Sequence, residues 1–403
     1  MKIVHIAQYL NPGMGYQENL LPYYQQLLGH DVVLLTSTLS NGFNKSKRQF
    51  ARGETTEQGF RVVRIGVAGE LRDKFVLFRD LRTFIETEKP DYIFHHMPTT
   101  LSVRTVCQYK KDHPAVFLAV DNHADLTISI ENKFLRTLYY NIFWKLFLKL
   151  FGAPIDLFFG VTPARCLFLN EELGVQADKI RLLPIGADTD RFQASQTRVE
   201  FLARYGLSED QVLITHGGKM TPDKQIDRIL RAFRRIPNEN ARLLLFGSIE
   251  DPAVESLMRE DPRIISLGWL NRADTLSVLQ HCDFGIWNTR HTTLLEDSLA
   301  AGLPMILRYY GSTCHLLDES GFFLYEGSVR EIQEKIQLLL DQPGLLADFR
   351  RAAQHQKAAL SYLAVAAESV QYATAQTPQL IHRKYMSEQF CDTTYEQFRK
   401  IKL

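Results

Sequence analysis

Two lysines five positions apart, Lys219 and Lys224, stand in the segment Gly217-Gly218-Lys219-Met220-Thr221-Pro222-Asp223-Lys224. The run before it, Val212-Leu213-Ile214-Thr215, reads as a strand, and the stretch after it carries Ile226, Ile229, Leu230 and Phe233 at helical spacing. Open α/β sheets bind ligands at such turns, outside the carboxyl ends of their strands. The two glycines let the backbone approach an anion, and two ammonium groups beside the positive end of a helix dipole suit a diphosphate. For this segment alone, a solvated loop with two surface lysines is the plain alternative.

A second segment, Trp287 to Pro304, follows the strand Phe284-Gly285-Ile286 and contains Glu296 within Leu294-Leu295-Glu296-Asp297-Ser298-Leu299-Ala300-Ala301-Gly302. Thr293-Leu294-Leu295-Glu296 has the form of a capping box, which would give Glu296 a purely structural task at a helix start. Asp188-Thr189-Asp190 has the spacing of a pair that holds Mg or Mn on a nucleotide diphosphate, but it lies in a linker-like stretch while the lysines already supply positive charge. No metal is expected. Of His95 and His96, neighbours on one strand, at most one faces a ligand. Gly13-Met14-Gly15 follows the first strand, yet Glu18 occupies the third glycine position of a dinucleotide fingerprint. The second strand ends Leu35-Thr36-Ser37 without a ribose-binding acid, which speaks against a nicotinamide site.

Together the two segments resemble the donor half of family 4 glycosyltransferases of GT-B fold. In that family a basic residue and a lysine five positions on hold the diphosphate, and an acidic pair eight positions apart binds the ribose and the donor sugar. Lys219 and Lys224 match the first pair and Glu296 the second acid. Asn288 stands in place of the first acid, with Thr289, Arg290 and His291 in place of the glycines that usually follow it. Pro12-Gly13-Met14-Gly15-Tyr16-Gln17-Glu18 is similar to the family's amino-terminal glycine loop, and Gly29-His30-Asp31-Val32 to the turn into its second strand. Val120-Asp121-Asn122-His123-Ala124-Asp125 makes His123 the counterpart of its active-site histidine, and Leu183-Pro184-Ile185-Gly186-Ala187-Asp188 through Phe192 is similar to its linker entry.

The resemblance spans residues 1 to 360 and implies a GT-B architecture: two Rossmann-like, doubly wound α/β domains facing across a cleft. It implies transfer of a sugar, with retention and without a metal, from a nucleotide-diphosphate sugar to a carbohydrate or lipid-linked acceptor in surface polysaccharide or glycoconjugate synthesis. The nucleotide sugar is the donor substrate, and no separate cofactor is implied. His123, Lys219 and Lys224 are the implied catalytic residues. Gly13, Gly15, Gly217, Gly218, Asn288, Thr292, Thr293 and Glu296 are the implied donor contacts. Two rivals share much of this pattern. One is a nucleotide-sugar 2-epimerase, which also needs acid and base carboxylates that the sequence does not assign. The other is a non-catalytic nucleotide-sugar-binding homologue, suggested by Asn288.

Around these motifs strands and helices alternate. Strands are expected at Ile3 to Ala7, Val32 to Thr36, Val62 to Ile65, Tyr92 to His95, Val116 to Val120, Leu157 to Val161 and Ile180 to Leu183. A second series follows at Val212 to Thr215, Arg242 to Phe246, Ile264 to Leu267, Phe284 to Ile286 and Met305 to Leu307. The expected division is an acceptor-side domain over 1–192, a nucleotide-sugar-binding domain over 193–365, and a tail over 366–403 that crosses back to the first domain. With 403 residues and net charge +1, no global field argues for nucleic acid as a partner. Five scattered cysteines lack metal or disulfide-framework spacing, and no segment has the form of a signal peptide or a bilayer span, so a cytoplasmic location is expected.

The stretch Lys133 to Phe151 is the other unusual feature. Lys133, Thr137, Asn141, Lys145 and Lys149 form a polar line at spacing four, while Phe134, Leu138, Ile142, Phe143, Trp144, Phe147, Leu148 and Phe151 cover most of the rest. So narrow a polar stripe belongs to a buried helix or to one lying in a membrane interface, on the inner face for this protein. The nearby basic run Lys45, Lys47, Arg48, Arg52 suits the interface.

Overall fold

Alternating apolar runs and amphipathic stretches build two mainly parallel sheets flanked by helices, as the sequence pattern requires. The computed structural model describes residues 1–40, 49–71, 75–125, 130 and 132–374. Within them the chain forms two units, Met1–Gly186 joined by the chain from Tyr362, and Ala187–Ser361.

The first unit contains β1 (Lys2–Ala7), β2 (Asp31–Ser37), β3 (Gly53–Glu57), β4 (Phe60–Ile65), β5 (Val67–Leu71), β6 (Phe75–Phe78), β7 (Tyr92–His96), β8 (Phe117–Asn122), β9 (Leu157–Gly160) and β10 (Ile180–Leu182). Eight of them form one sheet in the order β10-β9-β8-β7-β1-β2-β4-β3. All neighbours are parallel except the edge pair β3 and β4, and β5 and β6 form a separate hairpin. Central strands such as β1 and β7 are buried along their length, as strands covered on both faces must be.

The second unit contains β11 (Val212–Gly217), β12 (Ala241–Phe246), β13 (Ile264–Gly268), β14 (Phe284–Trp287), β15 (Met305–Arg308) and β16 (Gly321–Leu324). Their order is β13-β12-β11-β14-β15-β16, with every pair parallel. The order reverses beside β11 and β14, so the doubly wound sheet has its switch point between them. The lysine loop leaves the end of β11, and Asn288 follows the end of β14.

The expected boundaries at 192 and 365 move to 186 and 361. Ala187 donates its N–H to the Leu360 carbonyl at 2.7 Å and bridges Ser361, which pins both ends of the second unit together. A Cβ on Gly186 would lie 2.6 Å from Tyr362, so only glycine fits against that residue. Helix Tyr362–Ala373 then packs in the core of the first unit, with Tyr362 stacked on Tyr24 at 5.6 Å and Val365 and Ala366 fully buried. The aromatic residues Tyr385, Phe390, Tyr395 and Phe398 lie outside the described residues.

Two local features depart from the plain sequence pattern. Helix Gln17–Leu27 buries Leu20, Leu21 and Tyr24, but Leu27 and Leu28 face solvent at its last turn. Ser328 caps helix Val329–Asp341 by accepting from the Glu331 N–H, yet the Glu331 carboxylate accepts from the N–H groups of Tyr325, Glu326 and Gly327 instead of closing a capping box. It holds the loop after β16 in place.

Candidate functional site

In the second unit the lysine loop is short and tightly turned. Gly218 takes φ +121°, Pro222–Lys224 form one 3₁₀ turn, and Gln225 enters the left-handed region at φ +56° before helix Ile226–Phe233. The apolar face anticipated for that helix is fully buried, with Ile226, Ile229, Leu230 and Phe233 in the core. The two glycines have different tasks. A Cβ on Gly217 would lie 2.0 Å from the Phe246 ring, so that glycine serves packing, and its carbonyl accepts from Trp287 Nε1 at 3.1 Å. At Gly218 the position of a Cβ is open, with Leu294 Cδ1 at 3.5 Å and Lys224 Nζ at 3.9 Å as its nearest neighbours.

The lysines are also unequal. Lys219 is exposed and pairs with Glu250 at 3.0 Å. Lys224 is partly buried, and burial lowers its pKa, with the neighbouring Lys219 charge acting in the same direction. A lysine whose charge is held in a poorly solvated place gains most from an arriving anion. Beside it, His216 is buried with Nδ1 on the Ile286 carbonyl at 2.7 Å and Nε2 unpartnered, and burial takes its pKa down to about 4. It is therefore neutral and offers one lone pair.

Glu296 does not cap. Thr293 precedes helix Leu294–Ala301 with helical φ and ψ and makes no side-chain bond to it, so the capping-box alternative is removed. The Glu296 carboxylate is buried, with Oε1 paired to His291 Nε2 at 2.5 Å and Oε2 without a partner. His291 thus orients the acid. Thr292 is partly buried and Thr293 exposed, and their carbonyls begin the helix. Asn288 is buried, and its Nδ2 donates to Gln225 Oε1 at 3.3 Å and to the Gly327 carbonyl at 3.1 Å. That contact with Gln225, together with the approach of Gly218 to Leu294, joins the lysine loop, Asn288 and the Glu296 helix in one place.

Glu296→Gln tests the acid directly. The amide can still accept from His291, so the melting temperature should hardly move, while loss of a charge-assisted bond of about 1.5 to 3 kcal/mol should weaken nucleoside diphosphate binding by roughly ten- to 150-fold. Unchanged affinity in a calorimetric titration would leave Glu296 as a packing partner of His291.

The first unit carries a buried polar chain that ends at His123. Ser369 donates its hydroxyl to the Ala366 carbonyl and accepts from Gln25 Nε2 at 2.9 Å, which turns Gln25 Oε1 toward His5 Nε2 at 2.6 Å. His5 must carry its proton there. Burial takes the His5 pKa down to about 3, so the ring is neutral and its Nδ1 accepts from His96 Nε2 at 3.1 Å. His96 Nδ1 donates to Asp121 Oδ2 at 2.9 Å. Both His96 nitrogens therefore donate, which makes it an imidazolium. Burial opposes that charge, but the Asp121 carboxylate raises the His96 pKa above its ordinary value. Burial likewise opposes the Asp121 charge, and His96 and His123 hold its pKa well below the usual carboxylate range.

Asp121 Oδ2 also accepts from His123 Nε2 at 3.1 Å, and Oδ1 accepts from the Met97 N–H at 3.0 Å. With Nε2 tied, the partly exposed His123 presents Nδ1. The ligand atoms of His96, Asp121 and His123 lie within 4.8 Å of one another, close enough for a cation. With both His96 nitrogens already donating, the set reads instead as a device that orients His123. His95 points the other way, to Ser102 at 2.9 Å. Elsewhere, Asp188 is held by Arg191 at 2.7 Å, which occupies the first member of the Asp-x-Asp pair. The N–H of Gly13 donates to Glu57 Oε1 at 2.7 Å. That N–H is therefore paired within its own unit; Gly15 has no atom within 4 Å of a Cβ placed on it.

Residues 198–356 match the family model described as Glycosyl transferases group 1. This stretch of the second unit is similar to a group 1 glycosyltransferase domain. The match covers the lysine loop, Asn288 and Glu296. Solved structures resemble the chain over almost its whole length. The glycosyltransferase from Rickettsia africae ESF-5 is 15% identical, with a TM-score of 0.66, over 93% of this chain and 98% of that one. HepE from Anabaena in complex with UDP is 14% identical, with a TM-score of 0.68, over 93% and 100%. Sucrose-phosphate synthase from Thermosynechococcus elongatus is 15% identical, with a TM-score of 0.62, over 93% and 98%. These likenesses establish the GT-B fold, with two Rossmann-like domains. No curated protein matches the chain by sequence.

Sequence reasoning missed several residues of these sites. His216, Gln225 and His291 lie beside the recognised motifs but fit no spacing rule, and His5, His96 and Asp121 meet through strands β1, β7 and β8. Only the alternation of His95 and His96 gave a signal, and His96 is the one that joins the chain ending at His123.

Proposed function

We propose that this protein transfers a sugar from a nucleotide-diphosphate donor to a carbohydrate or lipid-linked acceptor, with retention of anomeric configuration and without a metal. The observation that carries the reading is the junction of Lys224, Asn288 and the free Glu296 oxygen at the switch point of a group 1 glycosyltransferase domain. In the reaction the bond between the anomeric carbon and the phosphate oxygen breaks, and its electron pair stays with the phosphate. Lys224, supported by Lys219, stabilises that developing charge. The acceptor hydroxyl oxygen bonds to the anomeric carbon, and its proton passes to the departing phosphate. Glu296 holds the ribose hydroxyls, and His123, oriented by Asp121, serves the sugar. Incubating labelled nucleotide sugars with EDTA, with and without acceptor extracts, tests the reading. Expected is acceptor-dependent release of the nucleoside diphosphate with the sugar on a new product. Conversion of the donor sugar without an acceptor would favour an epimerase instead.

An anionic membrane surface is the proposed setting. No helix of the described residues is long and apolar enough to cross a bilayer. Helix 133–151, π-helical over Thr137–Trp144, instead buries only Tyr140, Trp144 and Leu148 and leaves Phe134, Leu135, Leu138, Ile142, Phe143, Leu146 and Leu150 exposed. The polar line at spacing four is thus a poor description, because the face turned to the protein is aromatic. A groove of about 850 Å³ runs along it between Leu71, Phe75 and the helix. Lys133, Arg136, Lys145 and Lys149 lie on the helix with no acidic residue among them, which complements anionic lipid. The run Lys45, Lys47 and Arg48 lies outside the described residues.

Because Trp144 is core, the residues to change are Ile142 and Leu146. Each is about half exposed, 54% and 53%, so each can contribute roughly half of the 1.5 to 3 kcal/mol of full burial. Ile142→Ser with Leu146→Ser should lower partitioning onto anionic vesicles by roughly ten- to 150-fold with the fold intact. Equal sedimentation of variant and wild type with the vesicles would contradict it.

A further inference from the structure

Arg308 ends β15, and Asn288 follows the end of the neighbouring strand β14. In the parallel register Trp287 lies beside Leu307, so the next pair is Asn288 beside Arg308. Trp287 and Leu307 are core residues, and alternation turns the following pair to the other face. Their side chains meet against the bare Cα of Gly327, which has φ +60°. A Cβ there would lie 2.2 Å from Asn288 Oδ1 and 2.8 Å from Arg308 Nη1.

The polar atoms at this junction are incompletely satisfied. Nε and Nη1 of Arg308 are buried with no hydrogen-bond partner, and so is Oδ1 of Asn288. The amide orientation of Asn288 is fixed, because Nδ2 has two acceptors, Gln225 Oε1 and the Gly327 carbonyl. Arg228 adds a second guanidinium on the other side by donating Nη1 to the same carbonyl at 3.2 Å. Glu331, four residues after Gly327, is committed to the three N–H groups of the loop after β16. Among the described residues no carboxylate pairs with Arg308. A guanidinium with buried, unpaired N–H groups is costly to keep unless a ligand supplies the anion.

We propose that Arg308, beside the neutral Asn288, forms a carboxylate-binding subsite, so that the donor is a nucleotide-activated uronic acid. The proposal rests on the nucleotide-sugar reading above. Two features act together, as specificity requires. A neutral amide at 288 removes the charge that would repel an anionic sugar, and Arg308 adds a donor set that attracts its carboxylate. The diphosphate already has Lys219 and Lys224 at the end of β11. Arg308 belongs to a different strand, on the side where Asn288 stands in for the sugar-contacting acid.

The test is a calorimetric comparison of three probes on wild type, Arg308→Leu and Arg308→Lys: UDP, UDP-glucose and UDP-glucuronate. The adenosine and guanosine equivalents are substituted if UDP does not bind. Wild type should prefer the uronate to the neutral sugar at least tenfold, Arg308→Leu should reduce the preference to threefold or less with unchanged diphosphate affinity, and Arg308→Lys should retain part of it. Equal weakening of all three probes in Arg308→Leu would assign the guanidinium to the diphosphate and overturn the proposal. A wild type without preference would overturn it as well, while leaving the nucleotide-sugar reading in place. Failure of every nucleoside diphosphate to bind wild type would overturn both. Melting temperatures of the variants show whether lost binding is lost folding, and in that event Arg308→Lys decides.

Discussion

Lys224→Ala should reduce turnover by roughly 10²- to 10³-fold while leaving the melting temperature nearly unchanged. The leaving diphosphate carries most charge in the transition state, and removing one donor aimed at such charge costs about 2.7 to 4 kcal/mol. Lys224 is partly buried, already destabilised as a cation by burial, and sits 3.9 Å from the open Cβ position of Gly218. Lys219→Ala should cost less. Its ammonium is exposed and shares its charge with Glu250 at 3.0 Å, so part of its effect is already spent and solvent screens the rest. Initial rates with the true donor, compared as kcat and kcat/KM, check the ranking. Equal rates for Lys224→Ala and wild type would remove Lys224 from the chemistry.

The second large effect is loss of stability on mild acidification. Burial takes His5 and His95 down to about 3 in the first unit and His216 down to about 4 in the second. A depressed folded pKa gives stability that is fully present above the unfolded value near 6.5 and is lost as pH falls toward the folded one. At pH 5 the unfolded histidines are protonated and the folded ones are not. Each then costs about 2 kcal/mol, from 1.5 pH units at 1.36 kcal/mol per unit. His96 works in the opposite sense. Its pKa is raised, so its contribution is complete below 6.5 and fades as pH rises through its folded value. Stability should therefore fall from pH 7 to 5 in both units, and in the first unit decline again on the alkaline side. Urea unfolding across pH 5 to 9 measures it, and a flat profile between 7 and 5 would contradict the neutral state assigned to these rings.

How far these sites could be read from sequence depends on the range of the interaction involved. The apolar strands were legible because burial on both faces leaves a run such as Val212 to Thr215 with few polar residues. Strand β3, Gly53–Glu57, was not: it is a mostly exposed antiparallel edge, and its Gly-Glu-Thr-Thr-Glu sequence has no apolar pattern. The short strand β16 and the hairpin of β5 and β6 escaped for similar reasons, since packing rather than periodicity defines them. Within the site, the lysine loop was legible because strand, glycines and helix follow one another in sequence. Glu296 was ambiguous, since a capping box and a buried acid share one local pattern, and the helical backbone of Thr293 and the contact with His291 separate them. The pairing of Asn288 with Arg308, and of His96 with Asp121, is made by strand neighbours far apart in the chain.

The most direct test of the central claim is a titration of nucleoside diphosphates into wild type, Lys224→Ala and Glu296→Gln, with uridine, adenosine and guanosine forms compared. Expected is one site on wild type for at least one base, and tenfold or weaker binding in Glu296→Gln, with all three proteins folded. Binding of none of the three diphosphates, or equal affinity in all three proteins, would contradict a nucleotide-sugar site at the ends of β11 and β14.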